Sequence, residues 1–162
     1  MELKDLIQNH LACFDLCYRA FGMYFPVAGN IGIFCQSEEE FEDFTKMCTE
    51  LTYSSDNLNQ KYFELKIPIA INSIGAFPPA VYTHLYIRRP NIASPEVGDI
   101  DFVLSLDDYK KLKDRILKGE KIAGASIYDR PGWDTIEIRN PEINALAYIS
   151  TQEMAEKVRV KF

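Results

Sequence analysis

The sequence lacks a long apolar run, an excess of basic residues and the common catalytic motifs. No stretch approaches the roughly 20 apolar residues that cross a bilayer, and the first residues do not resemble a secretory signal. The expected location is therefore the cytoplasm, with no membrane partner. The 24 acidic residues outnumber the 18 basic ones, and the net charge of -6 disfavours a nucleic-acid partner. P-loop, dinucleotide-binding, zinc-protease and hydrolase-elbow motifs are absent.

Cysteine and histidine are also scarce, with four cysteines and two histidines. Cys13, Cys17, Cys35 and Cys48 lie within apolar patterns, which predicts buried reduced thiols rather than a disulfide scaffold. His10, Cys13 and Cys17 share one face of a predicted helix and could supply three metal ligands. They lack the paired spacing of structural zinc sites, so packing beside the apolar stripe is the favoured interpretation.

The composition predicts one folded domain over residues 1–162, because 47% hydrophobic and 26% charged residues are ordinary globular proportions. Apolar residues at three- and four-residue spacings predict an amphipathic N-terminal helix within residues 1–25. Two related units follow, at about 29–90 and 98–150. A tail over residues 151–162 is predicted to form a helical turn and a short strand without an assigned partner.

The two units share a short apolar strand that runs into a capped helix. Ser37 with Glu40, and Ser105 with Asp108, have the spacing of a capping box. The predicted helices cover residues 38–52 and 106–118. Extended segments are predicted at 62–71 and 80–89 in the first unit, and at 121–128, 135–139 and 145–150 in the second. The pattern indicates a domain made by duplication.

This organisation resembles the vicinal oxygen chelate superfamily, which includes glyoxalase I, bleomycin-resistance proteins and extradiol dioxygenases. The segment 98–105 resembles the opening strand of a family module, and 134–144 resembles its closing hairpin. The resemblance implies an α+β fold in which two tandem βαβββ modules, preceded here by the N-terminal helix, form a curved mixed sheet around a cup.

The resemblance also implies a divalent metal in the cup, but the matching positions are altered. The opening strands carry Asn30 or Gly32 and Asp99 or Asp101 where the family places histidine or glutamine, and the closing position falls near Ala147, which offers no ligand atom. We therefore expect at most a partial metal site, and the absence of any cofactor is the favoured interpretation.

Strand alternation predicts which side chains share a face. Tyr82, His84, Tyr86 and Arg88 fall on one side of their strand, opposite Thr83, Leu85 and Ile87. The same alternation gives other strands a polar face, with members Glu64, Lys66, Asp99, Asp101, Thr135, Glu137 and Arg139. This face lines a cup if the sheet curves, and is a solvated surface if the sheet is open.

Within this face, His84 and Glu137 are the candidate catalytic residues, because imidazole and carboxylate groups transfer protons near neutral pH. Tyr86, Arg88, Asp101 and the lone Trp133 are candidate substrate-binding residues. His84 is equally consistent with a structural role, Arg88 with an ion pair to Glu137, and Trp133 with burial under its loop.

Together, His84, Asp101 and Glu137 could form a one-histidine, two-carboxylate site for Mn, Fe or Zn.

The leading functional hypothesis is a glyoxalase-like domain that binds a small polar or anionic molecule in the cup, with proton-transfer chemistry of the lyase or isomerase type. The alternative is a non-catalytic interaction module. In that case the N-terminal helix would dock a partner or a second copy of the chain, giving a homodimer.

Overall fold

The structure, a computed structural model, describes residues 2–161. In this part of the chain the elements are α1 (Leu3–Phe21), β1 (Val27–Phe34), α2 (Glu38–Leu51), β2 (Phe63–Ile71), β3 (Ala80–Arg88), β4 (Gly98–Val103), α3 (Leu106–Leu117), β5 (Ala125–Arg130), β6 (Trp133–Asn140), β7 (Ile143–Ser150) and α4 (Gln152–Lys157). None of these helices has the length and apolar character needed to cross a membrane.

The strands form one mixed sheet in the order β2-β3-β1-β4-β7-β6-β5. The opening strands of the two units, β1 and β4, pair antiparallel in the middle of the sheet. Each also pairs in parallel with the last strand of its own unit, β1 with β3 and β4 with β7. The predicted α+β fold, with an N-terminal helix and two related units, is confirmed.

The first unit has one strand fewer than the second among the described residues. Its counterpart of β5 is reduced to a single bridge between Thr52 and Leu65. The chain before β2 turns instead toward the C-terminal segment, where the backbone amides of Lys61 and Tyr62 donate to the carbonyl of Arg159. The sheet is therefore asymmetric, and β2 is an edge strand.

The serine half of each predicted capping box is confirmed. The Ser37 and Ser105 side chains accept hydrogen bonds from the amides of Glu40 and Asp108, at 3.1 and 3.2 Å. The Glu40 carboxylate accepts from the amide of Gln36, at 2.6 Å, rather than from that of Ser37. At the end of α1, Gly22 adopts a left-handed conformation with φ of 69°, which a residue without Cβ reaches at little cost.

One apolar core joins α1, α2 and α3 to the same face of the sheet. His10, Cys13 and Cys17 are fully buried, and their side chains contact the Tyr82 hydroxyl, the Leu146 carbonyl and the Met23 carbonyl, respectively. The four cysteines are buried free thiols, as predicted.

The alternation predicted for β3 is wrong at Tyr82. Its hydroxyl lies 2.6 Å from Nδ1 of His10, on the α1 side of the sheet, and Leu85 is buried in the same core. Thr83 and His84 lie between Tyr82 and Leu85, and their side chains are hydrogen-bonded, with 2.9 Å between Oγ1 of Thr83 and Nδ1 of His84. The register of β2 against β3 shifts between Glu64 and Ile69, so alternation is not continuous through this stretch.

The C-terminal segment lies across the opposite, polar face. Asn30 on β1 donates to the carbonyl of Ala155 at 2.7 Å, and Nε of Arg159 donates to Oδ1 of Asn30 at 2.8 Å. The strand predicted after α4 is limited to one bridge, between Val160 and Gln60.

Candidate functional site

A row of side chains crosses the polar face of the sheet. Strand register places His84 beside Asn30, Asp101 beside Tyr148, and Tyr148 beside Glu137. The amide of Asn30 donates to the carboxylate of Asp101 at 2.9 Å and so links the two halves of the row. The predicted polar face therefore exists, but its members are spread over five adjacent strands.

The central cavity on this face has a volume of about 130 Å³. It lies over the junction of β1 and β4, where the two units meet. It is lined by Phe34, Lys61, Tyr62, Tyr86, Arg88, Asp99, Asp101, Tyr128, Arg130, Leu146, Tyr148 and Val158. Two carboxylates, three cations and four phenols thus face one small space.

The two carboxylates of the cavity belong to neighbouring positions on β4. Asp99 and Asp101 are 4% and 3% exposed. Burial raises the pKa of Asp99, and burial together with the nearby Asp99 raises the pKa of Asp101 to about 7. The hydroxyl of Tyr62 donates to the Asp99 carboxylate at 3.0 to 3.1 Å. Asp101 is consequently able to exchange a proton at neutral pH.

Gly32 provides the space for Asp99. A Cβ at this position would lie 2.1 Å from Oδ1 of Asp99, closer than real contacts allow. Because Asp99 faces Gly32 across the strand pair, only a residue without a side chain fits at position 32.

Three cations flank the carboxylates, each against an aromatic ring. The guanidinium of Arg88 lies 3.6 Å from the centroid of Phe34, and Nζ of Lys61 lies 4.9 Å from that of Tyr86. Arg130 lies 4.6 Å from the ring centroid of Tyr128. These rings hold the cations beside the cavity, where their charge favours an anionic ligand.

Arg88 makes contacts other than the ion pair considered from the sequence. Its two terminal nitrogens donate to Oγ and the carbonyl of Ser94, at 3.1 and 2.7 Å. Its Nε is buried and has no hydrogen-bond partner among residues 2–161. Glu137 instead forms an ion pair with Arg139, with 2.6 Å between Oε1 and Nε. The ion pair between Arg88 and Glu137 that the sequence allowed is therefore wrong.

His84 lines a second cavity of about 190 Å³, which shares no lining residue with the central cavity. Glu64, Gln60 and Tyr53 also line that cavity. Burial, and then the positive charge of Arg159, lower the pKa of His84. His84 is therefore not among the residues that line the central cavity.

Glu137 and Trp133 also lie outside the central cavity lining. Glu137 is 8% exposed, and Arg139 joins it to Glu96. Trp133 is half-buried, with the Arg130 guanidinium 5.1 Å from its ring centroid. Of the six predicted site residues, Tyr86, Arg88 and Asp101 are brought together.

The proposed metal set of His84, Asp101 and Glu137 does not form. Within residues 2–161, no group of three or more histidine, cysteine, aspartate or glutamate side chains has the proximity to hold a metal ion. Strands lie about 4.8 Å apart, so the four strand spacings from β3 to β6 separate His84 from Glu137 by roughly 19 Å. Asn30 stands between His84 and Asp101, with Arg159 bound to it.

Strand alternation predicted Asp99 on the polar face, but Asp99 was not among the predicted site residues. Apart from Tyr86, Arg88 and Asp101, the other residues that line the central cavity were not predicted either. Tyr148 was available from alternation along β7, because it pairs with Asp101. Arg130 ends β5, two residues beyond the predicted extended segment 121–128. Lys61 precedes β2 outside any regular element, so no periodic signal marks it. Tyr62 begins the predicted segment 62–71, where alternation places it on the same face as Glu64.

The fold is similar to that of solved structures at low sequence identity. The structural-genomics protein EC4020 matches at 16% identity and a TM-score of 0.58, over 96% of this chain and 90% of that one. A Streptomyces coelicolor methylmalonyl-CoA epimerase variant with 2-nitronate-propionyl-CoA matches at 16% identity and a TM-score of 0.34, over 78% and 98%. A methylmalonyl-CoA epimerase complex with methylmalonyl-CoA and NH4+ matches at 17% identity and a TM-score of 0.34, over 78% and 95%.

No protein-family model and no curated protein matches the sequence. The similarity to EC4020 shows a shared fold. The two epimerase similarities carry no weight for activity at their TM-score.

Proposed function

We propose that this domain binds a small anionic carbonyl compound in the central cavity and transfers a proton at the carbon next to the carbonyl group. Asp101 is the proton acceptor and donor. Lys61, Arg88 and Arg130 attract the anionic group and balance the charge that develops during the reaction. The observation that carries the proposal is the buried pair Asp99 and Asp101, which faces three cations in one cavity.

The pKa of about 7 for Asp101 suits this role, because a carboxyl group near half-ionisation at neutral pH both accepts and returns a proton. An Asp101 carboxylate removes the proton, the C–H electron pair forms a C=C bond, and the carbonyl π pair moves onto the oxygen to give an enolate. The surrounding cations stabilise the enolate oxygen. The protonated Asp101 then returns a proton to carbon.

Deuterium exchange tests the proposal directly. The probe is pyruvate in D2O, with loss of the methyl proton signal followed by NMR. We expect exchange well above the buffer rate, and Asp101→Asn should slow it by about 100-fold or more, the usual scale of a lost general base. Exchange at the buffer rate, or an Asp101→Asn variant as fast as the parent chain, contradicts the proposal.

The His84→Ala variant tests whether the proton is transferred by Asp101, as proposed here, or by His84, as predicted from the sequence. His84 lines a different cavity, so the variant should exchange pyruvate protons at the parent rate. Loss of exchange in His84→Ala together with full exchange in Asp101→Asn would assign the proton transfer to the histidine and overturn the role of Asp101.

A further inference from the structure

A larger groove adjoins both cavities: it shares Lys61 and Tyr86 with the central cavity, and Tyr53, Ser54, Ser55, Gln60 and Phe63 with the cavity of His84. Its volume is about 410 Å³, and it lies between α2, the chain before β2 and the end of β3. Phe41, Phe63 and Ile87 supply apolar walls, and Thr45 and Thr49 line it from α2. The groove is therefore mostly apolar, in contrast to the charged central cavity.

The groove exists because the two units differ. Pairing between β2 and β3 begins at Phe63 with Leu85, so Tyr86 and Ile87 lie beyond the last pair. In the second unit the corresponding strand, β7, is covered by β6 over Ala147 and Tyr148. The start of β2 at Phe63 thus leaves open space beside the end of β3.

Lys61 and Tyr86 line both the groove and the central cavity. Nζ of Lys61 lies 4.9 Å from the ring centroid of Tyr86, so the two side chains meet where the spaces adjoin. Ligand sites in proteins usually enclose about 300–1,000 Å³. The central cavity, at about 130 Å³, falls below this range, whereas the groove, at about 410 Å³, falls within it.

We propose that the ligand is amphipathic: its anionic carbonyl end occupies the central cavity and a hydrocarbon tail extends past Lys61 and Tyr86 into the groove. The inference rests on the proposed function and names its substrate class, a 2-oxo acid or related carbonyl acid with an alkyl or aryl extension. The apolar walls favour a tail without charge, and Lys61 at the junction is positioned to meet the acidic end.

The test is a binding series of 2-oxo acids, from pyruvate through 2-oxohexanoate to 2-oxooctanoate, measured by titration calorimetry. Burial of each methylene is worth up to about fourfold in affinity, so we expect 2-oxooctanoate to bind about 30-fold or more tightly than pyruvate. Thr49→Trp places an indole in the groove and should bring this ratio close to one. Thr49 is exposed on α2, so the larger side chain does not disturb the packing of the core.

Lys46→Trp is the matched control, because Lys46 is exposed on the same helix and does not line the groove. It should leave the ratio of the two affinities unchanged. If pyruvate binds and the ratio is near one, or is unaffected by Thr49→Trp, the hydrocarbon tail is excluded while the proposed function stands. If none of the 2-oxo acids binds, the proposed function itself is contradicted.

Discussion

At the scale of residues, the central feature is a carboxylate pair kept out of water beside cations. Asp101 accepts a hydrogen bond from Asn30, and Asp99 accepts one from Tyr62. These bonds and the cations Lys61 and Arg130 favour the charged carboxylates, whereas burial opposes them. Burial dominates, so the pair favours bound protons at a pH where ordinary aspartates have lost them.

Asp101→Asn should raise stability at neutral to alkaline pH. The folded-state pKa of about 7 exceeds the unfolded value, so the folded chain binds more protons and its stability falls as pH rises from about 4 to 7. An asparagine does not titrate. In urea unfolding, the stability of Asp101→Asn relative to the parent chain should rise by roughly 2 kcal/mol between about pH 5 and pH 8.

Asp134→Asn is the control with the opposite sign. Hydrogen bonds from Lys113 and Tyr109 hold the pKa of Asp134 below its usual value. The ionised Asp134 carboxylate therefore stabilises the folded chain at neutral pH. Asp134→Asn should be less stable than the parent chain at both about pH 5 and about pH 8. If Asp101→Asn behaves in the same way as Asp134→Asn, the carboxylate of Asp101 is stabilising and its raised pKa is wrong.

At the scale of elements, α1 is docked on the sheet by polar as well as apolar contacts. Asn9 donates to the carbonyls of Gly32 and Asp99, at 3.0 and 3.3 Å, next to the candidate site. His10 bonds to Tyr82, and its Nε2 has no hydrogen-bond partner among residues 2–161. A protonated His10 would carry a buried charge, so the docking of α1 depends on a neutral imidazole.

Acid should therefore weaken the packing of α1. Burial lowers the pKa of His10 to about 4, so the unfolded state takes up the proton first as pH falls from 6.5 toward 4. His10→Asn preserves a partner for Tyr82 and does not titrate. It should be less stable than the parent chain at about pH 8, and this difference should shrink by about 2 kcal/mol at pH 5.

The comparison for His10→Asn is Leu16→Ala, another core change in α1. Leu16 is buried and does not titrate, so its loss should cost about 2–5 kcal/mol at both pH values. A cost of His10→Asn that stays constant between the two pH values would contradict the neutral buried histidine.

At the scale of the whole molecule, the sequence predicts the duplication better than the site. Capping serines, helix periodicity and turns are local signals, and each located its element to within a few residues. Most of the polar face was also predicted, because β4 pairs with β7, and β6 with β5 as far as Ile138, without a shift of register. The break at Tyr82 depends on pairing between β2 and β3, which no single strand encodes.

The site itself depends on contacts far apart in the sequence. Asn30 stands between His84 and Asp101, and Arg159 reaches Asn30 and fixes the C-terminal segment across the polar face. Lys61 enters the cavity because the chain before β2 bonds to that same segment. Composition and spacing do not report such contacts, so the cup was predicted as one space with His84 in it.

The most direct test of the account is a carboxyl-carbon NMR titration of the chain labelled with 13C at its aspartate side chains. Asp101→Asn and Asp99→Asn assign the two signals. We expect the Asp99 and Asp101 pair to lose one of its two protons near pH 7. This pKa is higher than that of an ordinary aspartate because of burial and of the neighbouring carboxylate. If both signals titrate below about pH 5, as ordinary aspartates do, no carboxyl group of the cup exchanges protons at neutral pH and the proposed proton transfer is contradicted.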